Sequence, residues 1–181
     1  MVGDRKVVFY CSASHEIDPD FNQAARELVR AVCHRGWTVV SGGTVKGTMG
    51  VIADTVVECG GRHVGVIPRF MEKLVCQGLE ETVWTDTMDE RKSAMRKGTL
   101  AAVALPGGVG TLDELIGTFT EIKLGQYSGK LFALDVNGFY TPLKNLLDHY
   151  VSTGMLDSHS RELIEFPKTV AELVDRLEML K

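Results

Sequence analysis

The sequence predicts an α/β fold: a three-layer arrangement with a mostly parallel sheet between helices. Three observations carry this expectation. Short apolar runs alternate with amphipathic segments almost to the end of the chain. The apolar runs are nearly continuous, as strands covered on both faces require. Loops of small residues follow the first, second and fifth runs, at the sheet edge where such folds bind ligands.

The elements follow in order. Val7-Val8-Phe9-Tyr10-Cys11 reads as a buried strand. Residues 20–35 place Ala24, Leu28 and Val32 at helical spacing, and Gly36 closes the helix. Trp37–Val40 is the second strand. Residues 48–59 form the next helix, ended by Gly60-Gly61. Val64–Ile67 is the third strand, and 68–79 is irregular or a short helix. Thr82–Thr85 is a weak fourth strand, and residues 87–97 a charged helix. Leu100–Leu105 and Leu131–Val136 are the fifth and sixth strands, with a helix over 112–124 between them. Tyr140–Ser152 and Thr169–Leu180 are the last two helices.

The 181 residues suffice for one domain spanning 1–181 and are too few for two comfortable ones. There is no linker, repeat or low-complexity segment. The formal net charge is -4. That argues against a general nucleic-acid binder or a membrane-surface binder, which needs a basic face. No apolar run approaches the roughly 20 residues that span a bilayer. The segment Met1-Val2-Gly3-Asp4-Arg5-Lys6 has no signal-peptide pattern, so the expected location is the cytoplasm. Cys11, Cys33, Cys59 and Cys76 are widely spaced, without a zinc pattern, and read as free thiols. His34, His63, His149 and His159 show no ligand spacing, and His15 reads as a surface-loop residue. Met88 and Met95 read as packing residues, and Leu115, Phe119 and Ile122 as core.

The chemistry concentrates in Pro106-Gly107-Gly108-Val109-Gly110-Thr111-Leu112-Asp113-Glu114. Glycines let a ligand approach the main chain closely. A helix starting near Thr111 aims free N–H groups and its positive end at the same point, which suits a phosphate. A ligand-free explanation exists. Thr111 and Glu114 fit a T-x-x-E capping box, which satisfies two backbone donors. Neither common nucleotide fingerprint, G-x-x-x-x-G-K-[ST] or G-x-G-x-x-G, is present. Ser12-Ala13-Ser14 and Ser41-Gly42-Gly43-Thr44 are the two companion loops.

A second stretch, Met88-Asp89-Glu90-Arg91-Lys92, reads by itself as a solvated charged face. Together, however, "PGGVGTLDE" and "MDERK" resemble the P-G-G-x-G-T-x-x-E and M-H-x-R-K motifs of the LOG (Lonely Guy) phosphoribohydrolases. Members of that family are often mislabelled lysine decarboxylases. The resemblance continues through "SGGTVKGTMGVIAD", "GVIP" and "LDVNGFYTPLKNLLDHYVSTG", nearly the whole chain.

The resemblance implies a Rossmann-like fold and homodimers with active sites near the subunit interface. It implies hydrolysis of the N-glycosidic bond of adenosine 5′-monophosphates, N6-modified or plain, to free base and ribose 5-phosphate. By position it implies a catalytic pair, Arg91 and Glu114. Gly107, Gly108, Gly110 and Thr111 would contact phosphate or ribose. Lys92, Asp113 and Thr120 fall on nucleotide-binding positions. Ser12, Gly42 and Gly43 join the binding set from the companion loops.

A carboxylate near a ribosyl cation-like state is chemically useful, and the reaction requires neither a metal nor a redox cofactor. Glu72 or Glu80, in the poorly matching 69–86 segment, is a candidate for the base side. Four departures stand out: Asp89 for the common His, Ser41 for Tyr, Thr44 for a third glycine and Thr48 for Leu. The alternative reading is a non-catalytic carrier of a phosphorylated ligand, which need not keep the Arg91–Glu114 pair. Decarboxylation through pyridoxal phosphate needs an imine-forming lysine, and no lysine here has a recognisable motif for it.

Overall fold

Residues 5–180 are described by a computed structural model. The reading of Met1–Asp4 therefore lies outside the described residues. Seven strands form one sheet in the order β4-β3-β2-β1-β5-β6-β7, with every pairing parallel. In chain order the elements are β1 (Lys6–Tyr10), α1 (Pro19–His34), β2 (Thr38–Ser41), α2 (Gly47–Glu58) and β3 (Arg62–Pro68). A 3-10 helix, Arg69–Leu74, precedes β4 (Glu81–Thr85), α3 (Met88–Arg96) and β5 (Ala101–Ala104). Then come α4 (Val109–Lys123), β6 (Lys130–Ala133), a 3-10 turn at Val136–Gly138 and α5 (Thr141–Ser152). The chain closes with α6 (Ser158–Arg161), β7 (Ile164–Glu165) and α7 (Val170–Glu178).

Alternate residues of each strand feed opposite layers. Val7, Phe9 and Val39 pack with Leu28, Ile52 and Leu173 from α1, α2 and α7. Val8, Tyr10 and Val40 pack on the other face with Met95, Leu115 and Leu147 from α3, α4 and α5. Both faces are dry, which explains why the strands read as unbroken apolar runs. The order reverses at β1, whose neighbours are β2 and β5. Chain connections diverge from that point, leaving a crevice beyond the carboxyl ends of β1 and β5. The serine and glycine loops open onto this crevice.

Several boundaries differ from expectation. Trp37 stands outside β2, which begins at Thr38; it is buried under the Arg5 guanidinium, 5.4 Å from the ring centroid. β6 ends at Ala133, because Asp135 N–H turns away to donate to Pro167 O at 2.8 Å. β7 and α6 were not expected; two paired residues leave too little pattern to read as a strand. The capping box occurs in α3, not α4. Thr87 accepts from Glu90 N, and the Glu90 carboxylate returns to Thr87 N.

Candidate active site

α4 starts two residues earlier than the threonine predicted to cap it. Gly108 is its N-cap and makes no side-chain cap bond, having no side chain. Thr111 lies inside the first turn and is buried; its hydroxyl donates to Cys11 O at 2.9 Å. That bond ties the helix start to the end of β1 across a sequence separation of 100 residues. A Cβ at Gly107 would lie 2.2 Å from the Thr111 hydroxyl, so the loop can pass only as glycine. At Gly108 and Gly110 an added Cβ would meet nothing within 4 Å. Both face solvent and leave bare main chain at a helix N-terminus, the geometry of an anion site.

With Thr111 employed elsewhere, Glu114 has no capping duty. It sits about 4.5 Å further along the helix axis than Thr111. Its carboxylate meets Arg91 of α3, Nη1 to Oε1 at 3.4 Å, with side-chain exposures of 8% and 12%. Arg91 Nε donates to Val66 O at the end of β3, 3.0 Å away. Its third nitrogen abuts the second loop: a Cβ on Gly42 would stand 2.0 Å from Nη2. Strand β3, helix α4 and the loop after β2 therefore surround one guanidinium. Burial dominates the carboxylate, raising its pKa to about 7 despite the Arg91 charge.

The surrounding polar groups brace this pair. Thr118 donates to Glu114 O at 2.7 Å, which uses its only hydroxyl proton. Tyr10 must therefore be the donor in its 2.9 Å contact with Thr118. Tyr140 donates to Leu105 O at 2.7 Å and fixes the exit of β5. Under the second loop, Ser41 accepts from Gly43 N at 3.1 Å and contacts His63 Nε2 at 2.8 Å. Burial lowers His63 to about 4, so the ring is neutral at pH 7. Its Nδ1 has no partner among the described residues. Burial also pushes the Cys11 thiol well above its usual range, so it is not an activated nucleophile. Among the described residues, no group of three His, Cys, Asp or Glu could hold a metal ion.

Residues 49–177 match a family model described as possible lysine decarboxylase. A cytokinin riboside 5′-monophosphate phosphoribohydrolase of Mycobacterium tuberculosis is 37% identical, over 90% of this chain and 87% of its own. The phosphoribohydrolase LOG of Oryza sativa subsp. japonica is 36% identical, over 96% of this chain and 73% of its own. The chain belongs to the LOG family. Among solved structures, the molybdenum cofactor carrier protein of Chlamydomonas reinhardtii superposes with a TM-score of 0.73 over 98% of both chains. At 18% identity that likeness shows the fold alone. No helix is long and apolar enough to cross a membrane among the described residues.

The LOG motif residues do not all converge. Arg91, Glu114, Gly42, Gly43, Gly107, Gly108, Gly110 and Thr111 gather at the carboxyl edge, with Gly43 in the braced second loop. Ser12 is buried there and accepts from Ser14 N at 3.0 Å. It lines a cavity of about 230 Å3 with Gly107, Phe21 and Phe139. Lys92 and Asp113 form an outer pair at 3.1 Å, Lys92 also reaching Asp89 at 3.0 Å. Thr120 departs from expectation. It is exposed, donates to Ile116 O at 3.0 Å, and lies in a groove between α4 and α5. Six helical residues past Glu114 place it about 120° around the axis, away from the cleft.

Glu80 is also misplaced by the sequence reading. It ion-pairs with Arg62 at 2.9 Å at the amino edge, opposite the cleft. Glu72 lies at the carboxyl edge, exposed on the 3-10 helix after β3. The four departures are internally satisfied. Asp89 pairs with Lys92, and Ser41 with His63. Thr44 bridges to Val75, and the Thr48 hydroxyl donates to Asn22 at 2.9 Å. Sequence reading missed Val66 O, Tyr10 and Tyr140 as supports, because their contacts join positions 25 to 108 residues apart.

Raising the Glu114 pKa carries a stability consequence. A carboxyl group that titrates higher when folded opposes folding once it ionises. The wild-type chain therefore loses stability relative to Glu114→Gln as pH rises from about 4.5 through 7. The expected difference is on the order of 3 kcal/mol by pH 8, read from urea unfolding of both proteins at pH 5 and pH 8. An unchanged difference between the two pH values contradicts the burial argument.

Proposed function

We propose that the protein hydrolyses the N-glycosidic bond of adenosine 5′-monophosphates, plain or N6-modified, to free purine and ribose 5-phosphate. The observation that carries this reading is the buried Arg91–Glu114 pair, set one helical turn beyond a bare N-terminus. The 5′-phosphate rests on the main-chain amides at the start of α4 and the Gly107–Gly110 loop. Ribose then extends along α4, with C1′ beside Glu114. The C1′–N9 bond breaks and its electron pair leaves on the purine. The ionised Glu114 stabilises the cationic sugar and orients water, which adds to C1′; the water proton finally resides on the base. Arg91 is held by Val66 O and fills the space a Gly42 side chain would take, so its role is to fix the Glu114 carboxylate and favour the ionised form. Lys92 and Asp113 form the rim of the nucleotide site. We place this single domain in the cytoplasm.

The named activity of relatives such as the Mycobacterium tuberculosis enzyme supports the reaction class. The likeness to molybdenum cofactor carriers is one of fold, and a carrier need not keep a buried acid–guanidinium pair. Incubation with AMP and N6-isopentenyl AMP is expected to yield base and ribose 5-phosphate, read by chromatography. Because the free enzyme holds Glu114 near 7, kcat/KM rises with pH through a midpoint near 7. Glu114→Gln lowers turnover by roughly 10²- to 10³-fold, the usual cost of removing one electrostatic stabiliser of the transition state. Intact nucleotide after long incubation with folded protein returns the carrier reading.

We further assign the α4–α5 groove, about 520 Å3 and lined by Leu112, Ile116, Leu124, Leu146 and Tyr150, to a second copy of the chain. Leu124, Leu146 and Tyr150 are exposed apolar side chains on one surface, which soluble chains seldom leave uncovered. Thr120 lies in this groove, so any contact it makes with nucleotide belongs to the paired assembly. Sedimentation is expected to give a dimer for the wild type and a monomer for Leu146→Glu. A monomeric wild type removes the assignment.

A further inference from the structure

A second polar cavity lies at the amino edge of the sheet, opposite the cleft. It encloses about 460 Å3 where α3 and α4 both end, lined by Ser93, Arg96, Lys97, Glu121, Gln126 and Ser128 among others. Arg96 is the unusual member. It is 8% exposed, yet its nearest carboxylate, Glu121, is 3.9 Å away. Among the described residues its guanidinium donates no hydrogen bond within 3.5 Å. The wall behind it is firmly built. Thr99 donates to Arg96 O at 2.8 Å, and its hydroxyl also meets the buried Tyr127 hydroxyl at 2.8 Å.

Arg96 is largely buried, its one carboxylate partner stands 3.9 Å away, and its nitrogens still reach the open pocket, so its fork remains free to donate to an incoming anion. The C-terminal ends of two helices help hold the cation but supply no fork of acceptors. A phosphate does, since its oxygens match the guanidinium bidentately. Lys97, Ser93 and Ser128 line the same space and carry further donors, while the Gln126 amide already donates to Leu124 O at 3.4 Å. Arg96 and Lys97 against Glu121 leave one net positive charge, suited to a ligand of one or two negative charges. The volume admits a phosphate with a small organic body.

We propose that this cavity is a second binding site, taking a small phosphate monoester on Arg96 and Lys97. It shares no lining residue with the cleft, although the Arg96 charge is felt at Glu114.

Titration calorimetry of the full chain with ribose 5-phosphate tests the proposal, with inorganic phosphate as a parallel probe. The wild type is expected to bind one more ribose 5-phosphate per chain than Arg96→Gln or Lys97→Glu. Lys97 is exposed, so its variant keeps the fold even if the Arg96 variant does not. AMP hydrolysis by Lys97→Glu is expected to stay within about twofold of wild type, because the cavity lies away from the cleft. Equal stoichiometry and affinity in wild type and Lys97→Glu overturns the site. Inorganic phosphate filling the site while ribose 5-phosphate does not overturns the monoester assignment.

Discussion

The site depends on a single guanidinium being fixed from three sides. Arg91 bonds the Val66 carbonyl and the Glu114 carboxylate and packs where a Gly42 side chain would stand. These contacts come from β3, α4 and the loop after β2. Only a parallel sheet delivers all three at one edge, because each strand then ends on the same side. The acid is left ionisable near neutrality because burial, rather than the cation, dominates its environment. A carboxylate so placed is strained thermodynamically and useful chemically. It titrates where an enzyme needs it to, at the expense of folding stability.

At the opening of α4 a strand, a loop and a helix leave main-chain amides uncovered. Gly107 is required by the chain itself, since Thr111 occupies the space a side chain would take. Gly108 and Gly110 are not required by internal packing, so their bareness is directed outward. Thr111 serves the fold by bonding to Cys11 O, which frees the first turn of α4 from side-chain capping. The amides there remain available while the helix stays anchored.

Much of this was legible in the sequence, for physical reasons. The layered fold was readable because Val7 to Cys11 and similar runs are dry on both faces, so no alternation masks them. Arg91 and Glu114 were identified through a resemblance to a family, and their pairing follows from the fold. The T-x-x-E pattern at Thr111 left a capping box open as an alternative that does not form, since a bond 100 residues away claims the hydroxyl. The true box at Thr87 and Glu90 has the same spacing. Thr120 and Glu80 illustrate the other limit. Motif proximity in sequence does not fix helix phase or sheet edge, and both residues turn away from the cleft. β7 was beyond reading because two residues carry no period.

The most direct test of the central claim is a crystal structure of Glu114→Gln with AMP bound. The 5′-phosphate is expected on the amides at the start of α4, with C1′ within contact distance of residue 114 and Arg91 still on Val66 O. AMP bound with its phosphate elsewhere, or with C1′ turned away from residue 114, contradicts it.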